Sequence, residues 1–179
     1  RCRADEAMSL HTSFRIGGPA DLWAEAANEE ELKAVLRLMH DYDVPHMLVG
    51  NGSNLLVSDR GYRGVMIKLA GDFEQIRRED NSLIVGAAKL LSGVSAFATQ
   101  NGLAGFEFAS GIPGSIGGAM FMNAGAYGGE MKDIVRSVRL VSADGSESFE
   151  YSNEEMGFGY RTSAIQSTGA IVTEVTIDL

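Results

Sequence analysis

Two glycine-rich segments carry the residues best suited to chemistry. The first is Gly50-Asn51-Gly52-Ser53-Asn54, preceded by Val49 and followed by Leu55, between two strand-like runs. Its glycines allow positive φ and close approach to backbone, and its successive amides with the Ser53 hydroxyl can point at an anion such as a diphosphate. It is not G-x-G-x-x-G, because Leu55 stands where the last glycine belongs, nor a Walker loop, because no Gly-Lys-Ser follows. A plain Asn-Gly hairpin turn is the competing reading.

The second segment is Gly111-Ile112-Pro113-Gly114-Ser115-Ile116-Gly117-Gly118-Ala119. Pro113 suits the first turn of a helix, and the glycines behind it leave one face bare. Amides at such a helix start bind anions or polar ring edges. Tight helix packing is the alternative, but each glycine costs a helix ~1 kcal/mol relative to alanine, so several for packing alone would be wasteful.

Two shorter stretches follow, Asn123-Ala-Gly125-Ala-Tyr127-Gly128 and Gly157-Phe-Gly-Tyr160-Arg161-Thr-Ser163. Arg161 has no acidic neighbour in sequence, so its forked donors are free for a carboxylate or a developing oxyanion. A surface arginine is the plain reading. His11, His40 and His46 are isolated and form no i,i+4 pair, which argues against a metal site. His40 near a helix C-terminus is explained by capping. Cys2 reads as a frayed terminus, and the eight methionines read as core filler.

These segments need elements to hold them. Asn28 with Glu31 signals a capping box, Leu32, Val35, Leu36 and Met39 recur at helical spacing, and Asp43-Val-Pro45 stops the pattern. His46–Val49, Leu55–Val57 and Val65–Leu69 read as strands, giving an alternating order suited to a small sheet with crossovers. Phe73–Arg78 and Ser82–Gly86 read as a hairpin about Glu79–Asn81, and Leu91, Val94, Phe97 and Ala98 mark a helix ending at Asn101-Gly102. Ile134–Val141 alternates, turns at Ala143-Asp-Gly145 and pairs back over Ser146–Ser152. Ala170–Leu179 is a strand with Ile171, Val175, Ile177 and Leu179 on one face. The whole is an α+β chain of two subdomains, 1–72 and 73–179.

The composition excludes several classes. The 179 residues are 45% hydrophobic and carry a net charge of −9, so neither disorder nor general nucleic-acid binding fits. One cysteine rules out an internal disulfide framework. Of the 22 glycines, nine fall between Gly102 and Gly129, marking where backbone approaches a ligand. Phe108–Gly129 runs 22 residues without charge, but its glycines, Pro113 and Asn123 make it a buried, ligand-facing segment rather than a bilayer span. The chain opens on Arg1 and stops in mid-strand, as a piece of a longer protein would.

The segments Gly50–Leu55, Gly111–Ala119, Asn123–Gly128 and Tyr160–Ser163, with His11-Thr-Ser-Phe-Arg-Ile-Gly-Gly-Pro-Ala20, resemble in order and spacing the UDP-N-acetylenolpyruvoylglucosamine reductases of peptidoglycan synthesis. The resemblance implies a two-subdomain FAD-binding fold of the vanillyl-alcohol-oxidase and p-cresol-methylhydroxylase (PCMH) type. It implies non-covalent FAD, since the 50–55 loop carries no histidine to attach one, and NADPH as reductant. Val49, Gly50, Asn51, Gly52, Ser53, Asn54 and Leu55 would hold the pyrophosphate. Gly111, Ile112, Pro113, Gly114, Gly117, Gly118, Asn123 and Gly125 would line the flavin, with Ile171 a further cofactor contact. Arg161 matches the catalytic arginine that stabilises enolate-like charge, and Tyr127 and Tyr160 would stand on the substrate side. A cytoplasmic reductase of a nucleotide sugar is implied, with no membrane or nucleic-acid partner. Complete members continue into a third domain that supplies a serine proton donor and a late glutamate, so negligible turnover is expected of this stretch alone. A stand-alone flavin-binding electron-transfer module is the competing function, and a flavin-free anion-binding domain a third.

Overall fold

Asn28 adopts an extended conformation and accepts the Glu31 N–H at 2.9 Å, which starts helix α1 (Glu29–Asp41) in a computed structural model describing all residues 1–179. The expected capping box does not close. The Glu31 carboxylate accepts instead from the Ala27 N–H at 2.8 Å, one residue early. Leu32 and Leu36 of α1 are fully buried, and three glutamates sit in its positive first turn.

Around this helix, β1 (Cys2–Ala7), β2 (Pro19–Ala26), β3 (His46–Val49) and β4 (Tyr62–Leu69) form a mixed sheet in the order β1-β2-β4-β3. β2 and β3 both run parallel to β4, so each needs a crossover connection. From β3 to β4 the connection is the irregular stretch 50–61, which holds the first glycine motif. For that reason Leu55–Val57 is not the expected strand: the chain there is returning from the end of β3 to the start of β4. β1 and β2 were not legible, since Cys2–Ala7 contains no β-branched or aromatic residue. Cys2 is not frayed either; it pairs with Ala24.

The second sheet is antiparallel. It comprises β5 (Ile76–Glu79), β6 (Ser82–Gly86), β9 (Val135–Val141), β10 (Ser148–Ser152) and β11 (Ile171–Asp178), in the order β10-β9-β11-β6-β5. Between β6 and β9 come α2 (Leu91–Gln100), α3 (Ile116–Met122) and a short ribbon of β7 (Gly125–Ala126) and β8 (Gly129–Glu130). The one-turn helix α4 (Ile165–Thr168) precedes β11. Phe73 lies in a 3-10 turn, Gly71–Glu74, rather than in the expected strand. The β5–β6 hairpin turns at Asp80, whose φ is +55°. No helix is long and apolar enough to cross a membrane.

All strands of the first sheet fall within 2–69 and all of the second within 76–178, yet one cluster of 30 buried residues is common to both. Ala24, Ala26, Val65, Ile67 and Leu69 join it from one face of the first sheet. The opposite face holds a separate six-residue cluster around Trp23 and Met66. Alternation along β4 therefore sends Lys68 to the Trp23 side.

Glu29 ties α1 to the second sheet. It accepts from the Ser148 hydroxyl and pairs with Lys33 at 3.0 Å and Arg139 at 3.2 Å. Burial alone would raise its carboxyl pKa, but the Ser148 donor and the two cations outweigh it and hold the group below its ordinary 4.5. A depressed folded pKa contributes stability that is complete above the unfolded value and lost as pH falls through the folded one. Glu29→Gln is therefore expected to cost ~1–2 kcal/mol at neutral pH, with the difference shrinking below pH 4.5. Urea unfolding of both proteins across that range measures it.

Candidate functional site

Where β3 ends, the chain enters Gly50–Asn54 with two of its carbonyls held and its amides left over. The Gly50 carbonyl accepts from the Lys68 ammonium, and the Gly52 carbonyl accepts from the Ser13 N–H at 3.1 Å. The Asn51 amide donates to the Pro113 carbonyl at 2.9 Å. None of the backbone N–H groups from Gly50 to Asn54 has an acceptor within the chain. Buried amides are nearly always paired, so a run of free donors, with Gly52 buried among them, fits an anionic group.

Gly52 has a φ of +63°, and a Cβ there would lie 1.9 Å from the His11 carbonyl oxygen. Its glycine is thus demanded by the packing of the loop on residues 11–13, not by approach of a ligand. His11 is itself fixed, its Nε2 2.7 Å from a Glu6 carboxylate oxygen and its ring stacked on Trp23 at 3.7 Å.

The second glycine segment corrects the sequence expectation. Pro113 is not in the first turn of a helix: α3 begins at Ile116, with Ser115 as N-cap. The amides at that helix start are already spent, Ile116 on the Lys89 carbonyl (2.8 Å), Gly117 on the Ala87 carbonyl (2.9 Å) and Gly118 on the Ser115 hydroxyl (3.4 Å). Gly117 packs tightly, since a Cβ would meet Ala87 at 3.0 Å, so close packing explains it. Gly114 and Gly118 have only ordinary contacts, and nothing lies within 4 Å of a Cβ on Gly111.

These segments border a cleft of about 700 Å³, of a size for an extended organic cofactor rather than an ion. Val49 to Leu55, Ile112, Pro113, Gly114, Gly117, Gly118, Arg161 and Ile171 all line it. Two cations, Lys68 and Arg161, stand in its wall and no aspartate or glutamate does, in a chain of net charge −9.

Arg161 lies in a tight turn in which Gly159 and Thr162 exchange both backbone hydrogen bonds (3.1 and 3.3 Å). Its φ is +52°, a left-handed conformation costing a non-glycine residue ~1 kcal/mol or more. One guanidinium N–H donates to the Asn54 side-chain oxygen at 3.3 Å, so the arginine stands against the end of the 50–54 loop.

Five predicted residues do not line the cleft. Asn123 is buried and its amide is wholly engaged: it donates to Glu130 (2.8 Å) and the Gly159 carbonyl (3.0 Å), and it accepts the Lys132 N–H (3.0 Å). That leaves no donor for a flavin and instead anchors the turn that carries Arg161. Gly125 is consumed by the β7–β8 ribbon, where a Cβ would meet the Gly129 carbonyl at 2.7 Å. Gly111 stands outside the cleft wall. Tyr127 and Tyr160 are 97% and 89% exposed, reaching neither the cleft nor the core.

Sequence reasoning missed Lys68, His46, Ala87 and Phe121 in the lining. Lys68 had a signal, a lysine inside the apolar run Val65–Leu69. Burial lowers its pKa, with Glu74 and Glu25 partly offsetting that at longer range. The others had no signal: His46 arrives with β3, and Ala87 and Phe121 are brought there by the chain between β6 and β9.

If Gly52 is fixed by the His11 contact, Gly52→Ala is expected to lower stability by about 2 kcal/mol or more, from strain and collision. Gly114→Ala, which has room, is expected to leave the thermal midpoint nearly unchanged. Thermal unfolding of the two ligand-free variants separates them.

Residues 20–148 match the family described as FAD binding domain. The UDP-N-acetylenolpyruvoylglucosamine reductase of Clostridioides difficile (strain 630) is 49% identical over 177 residues, which are 99% of this chain and 58% of that protein. The crystal structure of the reductase of that name from Thermus caldophilus superposes with a TM-score of 0.85 at 38% identity, covering 99% of this chain and 62% of the other. A VAO-type flavoprotein from Myceliophthora thermophila C1 superposes at 0.65 with 15% identity, over 89% of this chain and 31% of the other, which shows the fold alone. The chain thus spans little more than half the length of the reductases it matches. Its fold is the α+β, two-subdomain FAD-binding fold of the vanillyl-alcohol-oxidase and PCMH type. The chain belongs to the FAD binding domain family, and UDP-N-acetylenolpyruvoylglucosamine reductases are among its relatives.

Proposed function

We propose that this chain is the cofactor platform of a UDP-N-acetylenolpyruvoylglucosamine reductase. It would hold FAD non-covalently in the cleft between residues 1–72 and 73–179. The observation that carries this reading is the row of unpartnered amides at Gly50–Asn54, in a cleft walled by two cations and no carboxylate. A diphosphate needs such donors and such a field. The helix start at Ile116 cannot supply them, because its amides are spent.

Bound there, FAD would supply hydride transfer, with NADPH as the reductant and the enolpyruvyl double bond of a nucleotide sugar as the acceptor. The chain's own part is positional and electrostatic. The 50–54 amides would take the diphosphate, and Gly114 and Gly118 would let a flat ring approach the backbone without a side chain between them. Arg161 would stabilise negative charge developing next to the substrate carboxylate. Its turn is pinned by Asn123 through the Gly159 carbonyl, and its guanidinium is oriented by Asn54. Tyr127 and Tyr160, being exposed beside these segments, would meet substrate only when other chain covers them. Such a role belongs to the cytoplasm, where peptidoglycan precursors are made, and turnover by this chain alone would be negligible.

Titration of FAD into the cofactor-free chain, followed by flavin absorption and fluorescence, tests the reading. Saturable one-to-one binding is expected, and a folded chain that binds none would refute it. Arg161→Lys is expected to bind FAD nearly as the parent does. In a protein of the relatives' full length it is expected to lower kcat about tenfold or more, because lysine keeps the charge but loses the fork. Steady-state kinetics of that pair would remove Arg161 from the mechanism if turnover were unchanged.

A further inference from the structure

Lys68 is a half-buried cation with no carboxylate in ion-pair contact. It lies on β4 between Ile67 and Leu69, which face the main core, and it points to the Trp23 side beneath the 50–54 loop. It takes part in none of the ion pairs, for which nitrogen and oxygen must lie within 4.0 Å. Its one hydrogen bond goes to the Gly50 carbonyl, which leaves two of its three N–H donors unused. Even half-burial of an ammonium costs hydration that an unpaired charge does not recover, so a lysine in this position needs a reason.

The surroundings give one. Lys68 lines the large cleft and also a smaller cavity of about 310 Å³ bordered by His11, Ser13 and Trp23. Gly50 and Asn51 are common to both, so the ammonium stands in the wall where the two meet, directly behind the loop whose amides have no acceptor. The Gly50 carbonyl shares its peptide unit with the Asn51 N–H, so the ammonium that holds the one fixes the direction of the other. The same ammonium places a full positive charge behind a row of partial ones.

We propose that Lys68 is the counter-charge of the cofactor's diphosphate and, through the Gly50 carbonyl, the residue that aims the 50–54 amides. This rests on the FAD reading above. Charge and positioning act together: an approaching anion compensates the half-buried ammonium, and the carbonyl it holds cannot turn towards the anion.

The test is FAD titration of the chain and its Lys68→Met and Lys68→Arg variants over a range of salt concentrations, with thermal unfolding of each cofactor-free protein. Lys68→Met removes a half-buried, unpaired charge while keeping an unbranched stem, so it is expected to fold about as stably as the parent. Lys68→Gln is the second neutral variant should methionine disturb the loop. The neutral variant is expected to bind FAD about 10- to 100-fold more weakly and with a flatter salt dependence, and Lys68→Arg to recover most of the affinity. Unchanged affinity in a folded neutral variant overturns the proposal, and so does a loss of affinity with the salt dependence intact, which would mean that Lys68 only props the loop. A parent chain that binds no FAD overturns the flavin reading and this assignment together. A parent that binds FAD while the neutral variant binds equally well overturns this assignment alone.

Discussion

The site depends on one asymmetry in a five-residue loop: the Gly50 and Gly52 carbonyls are held from within the chain and none of the loop's amides is. A peptide unit cannot turn its N–H without turning its C=O, so fixing one fixes the other. Ser13 holds the Gly52 carbonyl and Lys68 the Gly50 carbonyl, and the Asn51 side chain is tied to Pro113. Each tether comes from a different part of the chain, so the loop is aimed by the fold rather than by its own sequence. The glycine at position 52 is the price of that arrangement, because the 11–13 segment can press against the loop only if no Cβ intervenes.

The rest of the architecture follows from bringing those tethers together. The parallel pairing of β3 with β4 forces the loop to be a crossover rather than a hairpin, which disposes of the plain Asn-Gly turn. The same pairing sets Lys68 beside Val49, at the base of the loop. On the other side, Asn123 spends its whole amide on Glu130, Lys132 and Gly159, so the helix–ribbon unit and the Arg161 turn are one piece. Asn123, Tyr127 and Arg161 all have positive φ without being glycine. Strain of that kind persists only where surrounding contacts dictate the backbone, and here those contacts are in view.

Much of the architecture was legible, and the failures have physical causes. Periodicity found α1, α2, β9 and β11, apolar runs found β3 and β4, and turn signals found β10 and the β5–β6 hairpin. β1 and β2 escaped because their partners, not their composition, make them strands. The glycine motifs located the cleft, but they misjudged how its donors are used. A glycine-rich helix start looks the same in sequence whether its amides are free or, as at Ile116 and Gly117, bonded to the Lys89 and Ala87 carbonyls far along the chain. Asn123 fails in the same way: as a residue type it suits a flavin edge, and only the tertiary structure shows every one of its polar atoms already engaged. Contacts that cross from one sheet to the other are invisible to local patterns.

A cleft built this way holds back folding free energy. The buried Gly52 amide without an acceptor and the half-buried Lys68 ammonium without a counter-ion each cost hydration that the ligand-free chain does not recover. An anion that meets both needs at once recovers that cost in the binding step and stabilises the fold by an amount that grows with the logarithm of its concentration over Kd. Pre-organisation explains why the arrangement is worth keeping: the donors are already aimed, so little ordering remains to oppose binding. The same argument orders the residues by consequence. Those that aim the loop, Ser13 and Lys68, should govern affinity for the diphosphate, whereas Arg161, whose turn is pinned by Asn123 and whose guanidinium meets Asn54 at the end of the loop, should govern turnover more than affinity.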